Sequence, residues 1–117
     1  MKPKIISYQL IPGICNAREM IEAVVCNHCV VSMEALKEKS RYQHRVDARH
    51  FIMWLLGRKT NMTGRAIAGV FGLDNASFHH ARKTVENSIS IMDARGHTAI
   101  KILEQLKTLP DAKKEDS

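Results

Sequence analysis

The stretch from residue 60 to residue 92, TNMTGRAIAGVFGLDNASFHHARKTVENSISIM, decides the fold. Its first part predicts a short helix over 64–71, after a break rich in Thr and Asn. Gly72 then offers a residue that is free to adopt a positive φ and to end that helix. A longer amphipathic helix is predicted over 75–92. A short helix, a turn with glycine and a longer helix are typical of a helix-turn-helix, here at about 63–92.

The longer predicted helix has one apolar face and one face with a different chemistry. Asp74 is a suitable N-cap because its carboxylate can accept a hydrogen bond from a free amide of the first turn. The apolar face comprises Phe78, Ala81, Val85, Ile89 and Met92. The opposite face has small side chains near the N-terminus and basic ones further on, and it includes Ala76, His80 and Lys83. Such a helix suits a major groove, which it enters N-terminus first, although an ordinary surface helix can carry the same residues.

Outward from this stretch, the same spacing of apolar residues predicts helices in the first half of the chain. Asn16 and Glu19 have the spacing of a capping box, so the first helix is expected to begin at Asn16. A short helix is expected after Ser32, and a loop over 39–45. Asp47 is the expected N-cap of a third, strongly amphipathic helix. The inward residues of the first and third helices are Met20, Ile21, Val24, Val25, Ala48, Phe51, Ile52, Leu55 and Leu56.

After the longer helix, Gly96 is expected to interrupt the structure before a last helix, which Pro110 ends. The inward residues of that helix are Ile100, Leu103, Leu106 and Leu109. Strand signals are nearly absent, so the chain is predicted to be all-α, a compact multi-helix bundle. One core is expected to contain Phe51, Leu55, Ile67, Phe71, Phe78 and Val85. The chain divides into an N-terminal segment over 1–15, a helical domain over 16–109 and a charged tail over 110–117, expected to be disordered.

Basic residues are concentrated between Lys37 and Arg65, a segment called the basic zone below. It contains eight lysines and arginines and two acidic residues, whereas the segments before and after it are balanced. The whole formal net charge of +6 therefore arises within this segment. Such a zone is the usual footprint of polyanion binding, but a solvated helix face gives the same count. Charge alone leaves both interpretations open.

Length and composition exclude several classes of protein. A chain of 117 residues has room for one modest core and not for a nucleotide-hydrolysing domain as well. No apolar run reaches the roughly 20 residues that cross a bilayer, and residues 1–15 lack the apolar region of a signal peptide. No catalytic residue, metal site or cofactor is predicted, and three cysteines fit reduced thiols. We therefore expect a cytoplasmic protein that is not an enzyme.

Residues 26–29, Cys-Asn-His-Cys, admit chemical interpretations and a structural one. They can supply half of a zinc site or a redox pair. A structural zinc needs four ligands, however, and no second pair of cysteines follows. The β-α-β pattern that accompanies a thioredoxin-like pair is also missing from the sequence. We interpret Cys26 and Cys29 as ordinary core or surface thiols.

Several stretches, in a fixed order, resemble one known family. Residues 46–55, VDARHFIMWL, are similar to its motif (I/V)-x-x-(P/A)-R-(Q/H)-(I/V)-A-M-Y-L. Residues 60–72 keep Thr-Asn and then Ile-Ala-Gly-Val-Phe-Gly, where the family has T-N-x-(S/T)-L-x-x-I-G-x-x-F-G. Residues 74–83, DNASFHHARK, are similar to D-H-(T/A)-(T/S)-V-x-(H/Y)-A-x-(R/K), and 31–41 to its short helix and basic loop. From about residue 20 to 92, the chain resembles the C-terminal DNA-binding domain of the bacterial replication initiator DnaA.

The resemblance implies an all-α helix-turn-helix bundle, as in Trp repressor and the DnaA C-terminal domain, that binds double-stranded DNA. The residues that it implies for base reading are Asp74, Asn75, Ala76, Ser77 and His80. Arg41 falls where the family inserts an arginine into a minor groove, whose narrow form concentrates negative potential. Arg49 falls on a phosphate contact of the family. The complete set expected at phosphates or in the minor groove is Lys39, Arg41, Arg49, Arg65 and Lys83.

The departures from the family pattern lie at the residues that specify a sequence. Where the family has Arg-Asp-His-Thr, residues 73–76 read Leu-Asp-Asn-Ala. Because base contacts specify and phosphate contacts only position, a changed target with an A/T-containing core is expected. Asn75 can bind adenine or can serve as a helix cap, and both interpretations stay open. The chain also lacks the G-x-x-x-x-G-K-(S/T) loop of the initiator's ATPase module.

Three hypotheses about function follow. The leading one is sequence-specific binding of double-stranded DNA in replication initiation or its regulation, by analogy with accessory proteins of phages or mobile elements. The second is a helical protein-interaction or transcription-regulatory module that has lost DnaA-box reading, which the changes at Leu73, Asn75 and Ala76 favour. The third is an enzyme or a metalloprotein. Double-stranded DNA and other replication proteins are the candidate partners, and the sequence does not predict an oligomeric state.

Overall fold

The computed structural model describes residues 16–39 and 41–112, and six helices account for most of them. The helices are α1 (Ala17–Cys29), α2 (Met33–Lys37), α3 (Gln43–Lys59), α4 (Gly64–Gly69), α5 (Asn75–Ile91) and α6 (Ala94–Gln105). Within the described ranges there is no strand. The predicted all-α fold is therefore confirmed.

Side-chain caps begin α1, α2 and α5. The Glu19 amide donates to Asn16 Oδ1 at 2.8 Å and the Asn16 amide donates to Glu19 Oε1 at 3.3 Å, which completes the capping box of α1. Ser32 caps α2 by accepting from the Ala35 amide at 3.0 Å. Asp74 caps α5 in the same way. Each cap satisfies an amide that has no partner inside its helix.

Helix α3 is central and packs against each of the five other helices. Residues 51–56 are all buried, so α3 has no exposed stripe there. Met53 and Trp54, which fall outside the predicted inward face, are covered as well. The predicted core is confirmed, since one cluster of buried residues contains Phe51, Leu55, Ile67, Phe71, Phe78 and Val85.

Helices α4 and α5 form the predicted helix-turn-helix. α4 ends at Gly69, slightly before the predicted end. Gly72 has a φ of 69°, in the left-handed region that glycine adopts without strain. The Leu73 amide then donates to the Ala68 carbonyl at 2.9 Å, which closes the turn directly before Asp74. The turn thereby fixes how the N-terminus of α5 leaves α4.

The prediction that Asp47 caps the third helix is wrong. α3 begins at Gln43, and Asp47 lies one turn inside it. The Asp47 carboxylate accepts a hydrogen bond from Gln43 Nε2 at 2.8 Å and pairs with Arg95 Nε of α6 at 3.1 Å. Tyr42, at the actual N-cap position, makes no capping hydrogen bond with its side chain, so the sequence carries no capping signal there. The loop expected over 39–45 is consequently shorter.

The prediction that Gly96 interrupts the structure is also wrong. Gly96 lies inside α6 and is buried. Its amide donates to Asp93 Oδ1 at 2.8 Å, the capping hydrogen bond of α6. A Cβ at this position would collide with the Ser88 carbonyl oxygen and lie 2.9 Å from the Ile89 nitrogen. The glycine therefore permits a close approach of α6 to α5.

In α5 and α6, some residues predicted to lie on the buried face are exposed or only half-buried. Met92 is 48% exposed, because α5 ends at Ile91 and Met92 turns into the left-handed region with a φ of 53°. In α6 the buried apolar side chains are those of Ala99 and Ile102, whereas Ile100 and Leu103 are half-buried. A repeated spacing of three drifts around a helix of 3.6 residues per turn, so the expected row did not stay on one face. Leu106 and Leu109 are buried, as predicted, but follow the helix.

The chain after α6 returns to α3. α6 ends at Gln105, so Pro110 is not what ends it. Asp111 and Ala112, in the segment expected to be disordered, contact the end of α3: the Ala112 amide donates to the Arg58 carbonyl at 3.0 Å. The predicted N-terminal segment over 1–15 and the rest of the tail, 113–117, lie outside the described residues. Across the part of the chain that the structure describes, no helix is both long and apolar enough to cross a membrane.

Candidate nucleic-acid interface

A cleft with a volume of about 770 Å³ lies between the segment that follows α2 and the turn that precedes α5. The first segment contributes mostly basic residues, α3 contributes four residues, and the turn and the first half of α5 contribute apolar, small and polar ones. This cleft is called the basic cleft below, and its lining includes Lys37, Lys39, Arg41, Arg49, His50, Leu73, Ala76, Ser77 and His80. The lining also includes one acidic residue, Glu38.

The basic cleft brings together two groups of residues that the sequence singled out separately. From the phosphate or minor-groove set it contains Lys39, Arg41 and Arg49, and from the base-reading set Ala76, Ser77 and His80. Lys39, Arg41, Ala76 and His80 are exposed. The other predicted contact residues lie outside its lining: Arg65, Asp74, Asn75 and Lys83.

The N-terminus of α5 is held by its own polar side chains. Asp74 Oδ1 accepts hydrogen bonds from the amide and from the hydroxyl of Ser77, each at 3.0 Å. These bonds favour the ionised form and lower the pKa of the Asp74 carboxyl. The Asp74 and Ser77 side chains are thus ordered against each other, while the methyl group of Ala76 faces solvent beside them.

Asn75 is exposed but leans towards α4 and not into the basic cleft. Its Oδ1 lies against Gly64, so a Cβ on that glycine would collide with it. The N-cap of α5 is Asp74, which removes the interpretation of Asn75 as the cap. The amide of Asn75 therefore has no capping role at the start of α5.

Arg49 supports the loop that carries Arg41. Its Nη1 donates to the Leu36 carbonyl at 3.0 Å and lies 3.5 Å from the Glu38 carbonyl oxygen. Burial, and then the positive charge of Arg45, lower the pKa of Arg49. These contacts tie the end of α2 to α3 and hold one wall of the basic cleft.

Comparison with known families agrees with this geometry. Residues 18–85 match the model of the bacterial dnaA protein helix-turn-helix, a range that covers more than half of the chain and extends from α1 into α5. The chain belongs to the bacterial DnaA helix-turn-helix family. This family is one of DNA-binding domains and not of catalytic ones. A search of curated protein sequences finds no match to the chain.

Two basic residues of the DnaA-type domain lie beyond the rim of the cleft. Lys83 is exposed on α5, three residues after His80 and on the same side of the helix. Arg65 is exposed in the first turn of α4. Both charges therefore flank the surface that the N-terminus of α5 presents.

Part of the basic zone has a structural role and lies outside the lining of the cleft. Lys59 is buried, and its Nζ donates to the Leu109 carbonyl at 2.7 Å and to Asp111 Oδ1 at 2.9 Å. Arg58 pairs with Asp111 at 3.3 Å and lies over the ring of Trp54. The charge available to a polyanion is smaller than the sequence count implied, because these two cations serve the fold.

The sequence did not single out His50 of α3 as a candidate site residue. In the DnaA-type fold its ring meets that of His80 at a centroid distance of 5.6 Å and an interplanar angle of 82°. His50 Nδ1 is buried, with no hydrogen-bond partner among the described residues. The two histidines are 30 residues apart in sequence, so no local pattern could have paired them.

The two cysteines of α1 are half-buried beside the core. Burial, with smaller contributions from Glu22 and Cys29, raises the pKa of the Cys26 thiol to about 11. Burial also raises the pKa of Cys29. Thiols with raised pKa values are poor nucleophiles and poor metal ligands at neutral pH, because the thiolate is the reactive form. In the described ranges, no group of three or more His, Cys, Asp or Glu side chains is placed to hold a metal ion.

Proposed function

We propose that the chain binds double-stranded DNA and reads its sequence through the basic cleft and the N-terminus of α5. One observation carries this proposal: a single cleft unites the arginine loop after α2 with the exposed start of α5. Contacts to DNA phosphates position a protein on the duplex, and contacts to base edges read the sequence. A surface that reads a sequence therefore needs both kinds of contact. Membership of a DNA-binding family supports the proposal.

The arrangement suggests a division of contacts. Arg41 and Lys39, exposed on their loop, approach phosphates or enter the adjacent minor groove. Ala76 and His80, one helical turn apart, lie on the face of α5 that enters the major groove. Lys83 and Arg65 contact phosphates on either side. Arg49 contributes mainly by holding the loop, and its remaining charge adds to the field of the cleft.

The preferred sequence is expected to differ from the usual DnaA box. Leu73, 41% exposed, stands where the family has an arginine and cannot donate a hydrogen bond to a base. Ala76 offers a methyl group, which packs well against the methyl of thymine. Each lost bidentate contact removes roughly 1–3 kcal/mol of discrimination. We therefore expect an A/T-containing core and a modest selectivity.

The biological role that fits these features is the initiation of DNA replication or its regulation. A domain that binds an altered box can mark a separate origin or compete at a related one. Such a role places the chain in the bacterial cytoplasm, and other replication proteins become candidate partners. The same contacts would serve a protein encoded by a phage or a mobile element.

The test is selection of bound sequences from a random duplex pool, followed by titrations at several salt concentrations. We expect enrichment of a short A/T-containing sequence and a steep fall of affinity with salt. The Lys39→Ala/Arg41→Ala variant should lose most binding. A matched control, Lys101→Ala/Lys107→Ala, removes the same charge from exposed positions in and after α6. No enrichment, with equal binding by both variants, would favour the protein-interaction alternative.

A further inference from the structure

The basic cleft contains a pair of imidazole rings in contact. His80 is exposed on α5, and His50 lies half-buried on α3 with the edge-on geometry given above. Since His50 Nδ1 is buried without a hydrogen-bond partner, no hydrogen bond determines whether that nitrogen carries a proton.

Titratable and charged groups face His50 from α3, α5 and α6. His50 faces Asp47 and Arg49 from its own helix, Arg95 from α6 and His80 from α5. Burial lowers the pKa of His50, the positive neighbours lower it further, and Asp47 opposes them. The open side of the cleft adds Lys37, Lys39 and Arg41 against the single carboxylate of Glu38. The protein without a polyanion therefore disfavours a positive charge on His50.

A duplex in the cleft reverses this balance. Phosphate groups beside Arg41 and His80 neutralise the local positive field, so an imidazolium becomes less costly there. An imidazolium at His80 also donates from both ring nitrogens, to phosphate oxygens or to acceptors on base edges, whereas a neutral ring donates from one. Both effects make the bound complex hold more protons than the free components.

We propose that duplex binding in the basic cleft takes up a proton at the His50–His80 pair, so that affinity rises as the pH falls from roughly 8 to 6. This inference rests on the proposed function. Its sign follows from linkage: the state that binds more protons is favoured at lower pH. Uptake of one full proton corresponds to about a tenfold change in affinity for each pH unit. His80 contacts the DNA in this mechanism, and His50 is a positioning and charge-coupling residue behind it.

The chain offers a matched control one residue away. His79 is exposed and adjoins His80. The centroid of its ring lies 5.2 Å from that of Phe78, and His79 does not line the cleft. The affinity of the full chain for a short mixed-sequence duplex is measured between about pH 6 and 8, at fixed ionic strength. His80→Gln and His50→Gln should lose most of the pH dependence, while His79→Gln keeps it. Calorimetry in two buffers of different ionisation heat should count fewer protons for His80→Gln than for the native chain.

The outcomes separate the two proposals. Binding with an identical pH profile in the native chain and in His80→Gln overturns the proton uptake and leaves the proposed function intact. Absence of duplex binding at every pH overturns both. Because His80 is exposed, its glutamine variant should melt at the native temperature. If His50→Gln melts earlier, the decision passes to His80→Gln and to the proton count by calorimetry.

Discussion

Arg41 and Arg49 line the same cleft, yet the guanidinium group of Arg41 is exposed and that of Arg49 is hydrogen-bonded to the fold. Arg41 is exposed on the loop after α2. Arg49 is half-buried and donates to the Leu36 carbonyl, so part of its charge is committed to the fold. A charged donor on a carbonyl typically contributes about 1.5–3 kcal/mol to stability, which sets the two residues apart experimentally.

We predict that Arg41→Ala weakens binding to every duplex and lowers the slope of log affinity against log salt by about 0.9, the value for one lost phosphate contact. Its melting temperature should stay native. Arg49→Ala should weaken binding, flatten the slope and also lower the melting temperature, because the loop loses its tie. Lys107→Ala, exposed and distant from the cleft lining, is the control. Native slopes for both arginine variants would remove the basic cleft from the interface.

Asn75 and Lys83 test base reading against backbone contact. The Asn75 amide rests against Gly64, so it must swing outwards to reach a base. Asn75→Ala should relax the preference at one base pair, since asparagine pairs with adenine through N6 and N7. Lys83→Ala should weaken binding to all sequences alike. Titrations of both variants against matched and mismatched duplexes at one salt concentration decide the matter. Equal loss for every duplex in Asn75→Ala would contradict base reading by this residue.

At the scale of elements, Phe78 packs α5 against two other helices, α3 and α4. Its ring fills the space beside Gly57 of α3 and Gly64 of α4, where added Cβ atoms would lie 2.8 and 2.7 Å from it. Phe78→Ala should lower the free energy of unfolding by about 3–5 kcal/mol, as expected for a buried aromatic. Ile91→Ala, at a position 62% exposed on the same helix, should cost little. Denaturant unfolding measures both, and a native-like Phe78→Ala would mean that α5 is rotated.

Helix packing at Gly96 gives a second prediction at this scale. Gly96→Ala should lower the free energy of unfolding by about 1–3 kcal/mol, since α6 must shift away from the Ser88 carbonyl to make room. Gly69, in α4, has no atom within 4 Å of an added Cβ. Gly69→Ala should therefore raise stability by up to about 1 kcal/mol, through the better helix propensity of alanine. Thermal unfolding of the pair distinguishes close packing from a general intolerance of substitution.

At the scale of the whole molecule, the segment after α6 is tied to the end of α3. Lys59 lies with only 5% of its side chain exposed, and Asp111, 52% exposed, closes the ion pair over it. The hydrogen bond from Lys59, followed by the nearby charges of Lys59 and Arg58, lowers the pKa of Asp111. The pair holds this segment against the C-terminal end of α3, outside the lining of the basic cleft.

The depressed pKa of Asp111 implies a pH-dependent contribution to stability. A carboxyl whose folded pKa is lowered stabilises the protein above its unfolded pKa of about 3.9 and loses that contribution as the pH falls through the folded pKa. Asp111→Asn should therefore destabilise the chain at neutral pH by less than about 1 kcal/mol, because the carboxylate is half exposed. The difference from the native chain should vanish in acid. Glu104→Gln, at an exposed position of α6, serves as the control, and an equal loss at all pH values would exclude the ion pair as the cause.

The sequence by itself determined the elements that depend on near neighbours. Asn16 and Asp74 cap their helices as predicted, and Ser32 caps the short helix that was expected to follow it, since a cap joins residues three apart. The apolar face of α5 through Phe78, Ala81 and Val85 follows from helical periodicity, which is also local. The ordered motifs that run through these helices placed the chain in its family before any contact was known.

Only the tertiary structure decided what the remaining residues do. Glycine has a low helix propensity, yet Gly96 lies inside α6 because the Ser88 backbone of α5 packs directly against it. Lys59 counted as a basic-zone charge until Asp111, 52 residues away, paired with it. The meeting of Arg41, His50 and His80 in one cleft depends on how α2, α3 and α5 pack. These contacts join segments that are distant in sequence. The burial and the neighbouring charges that determine their energies arise only when the chain folds.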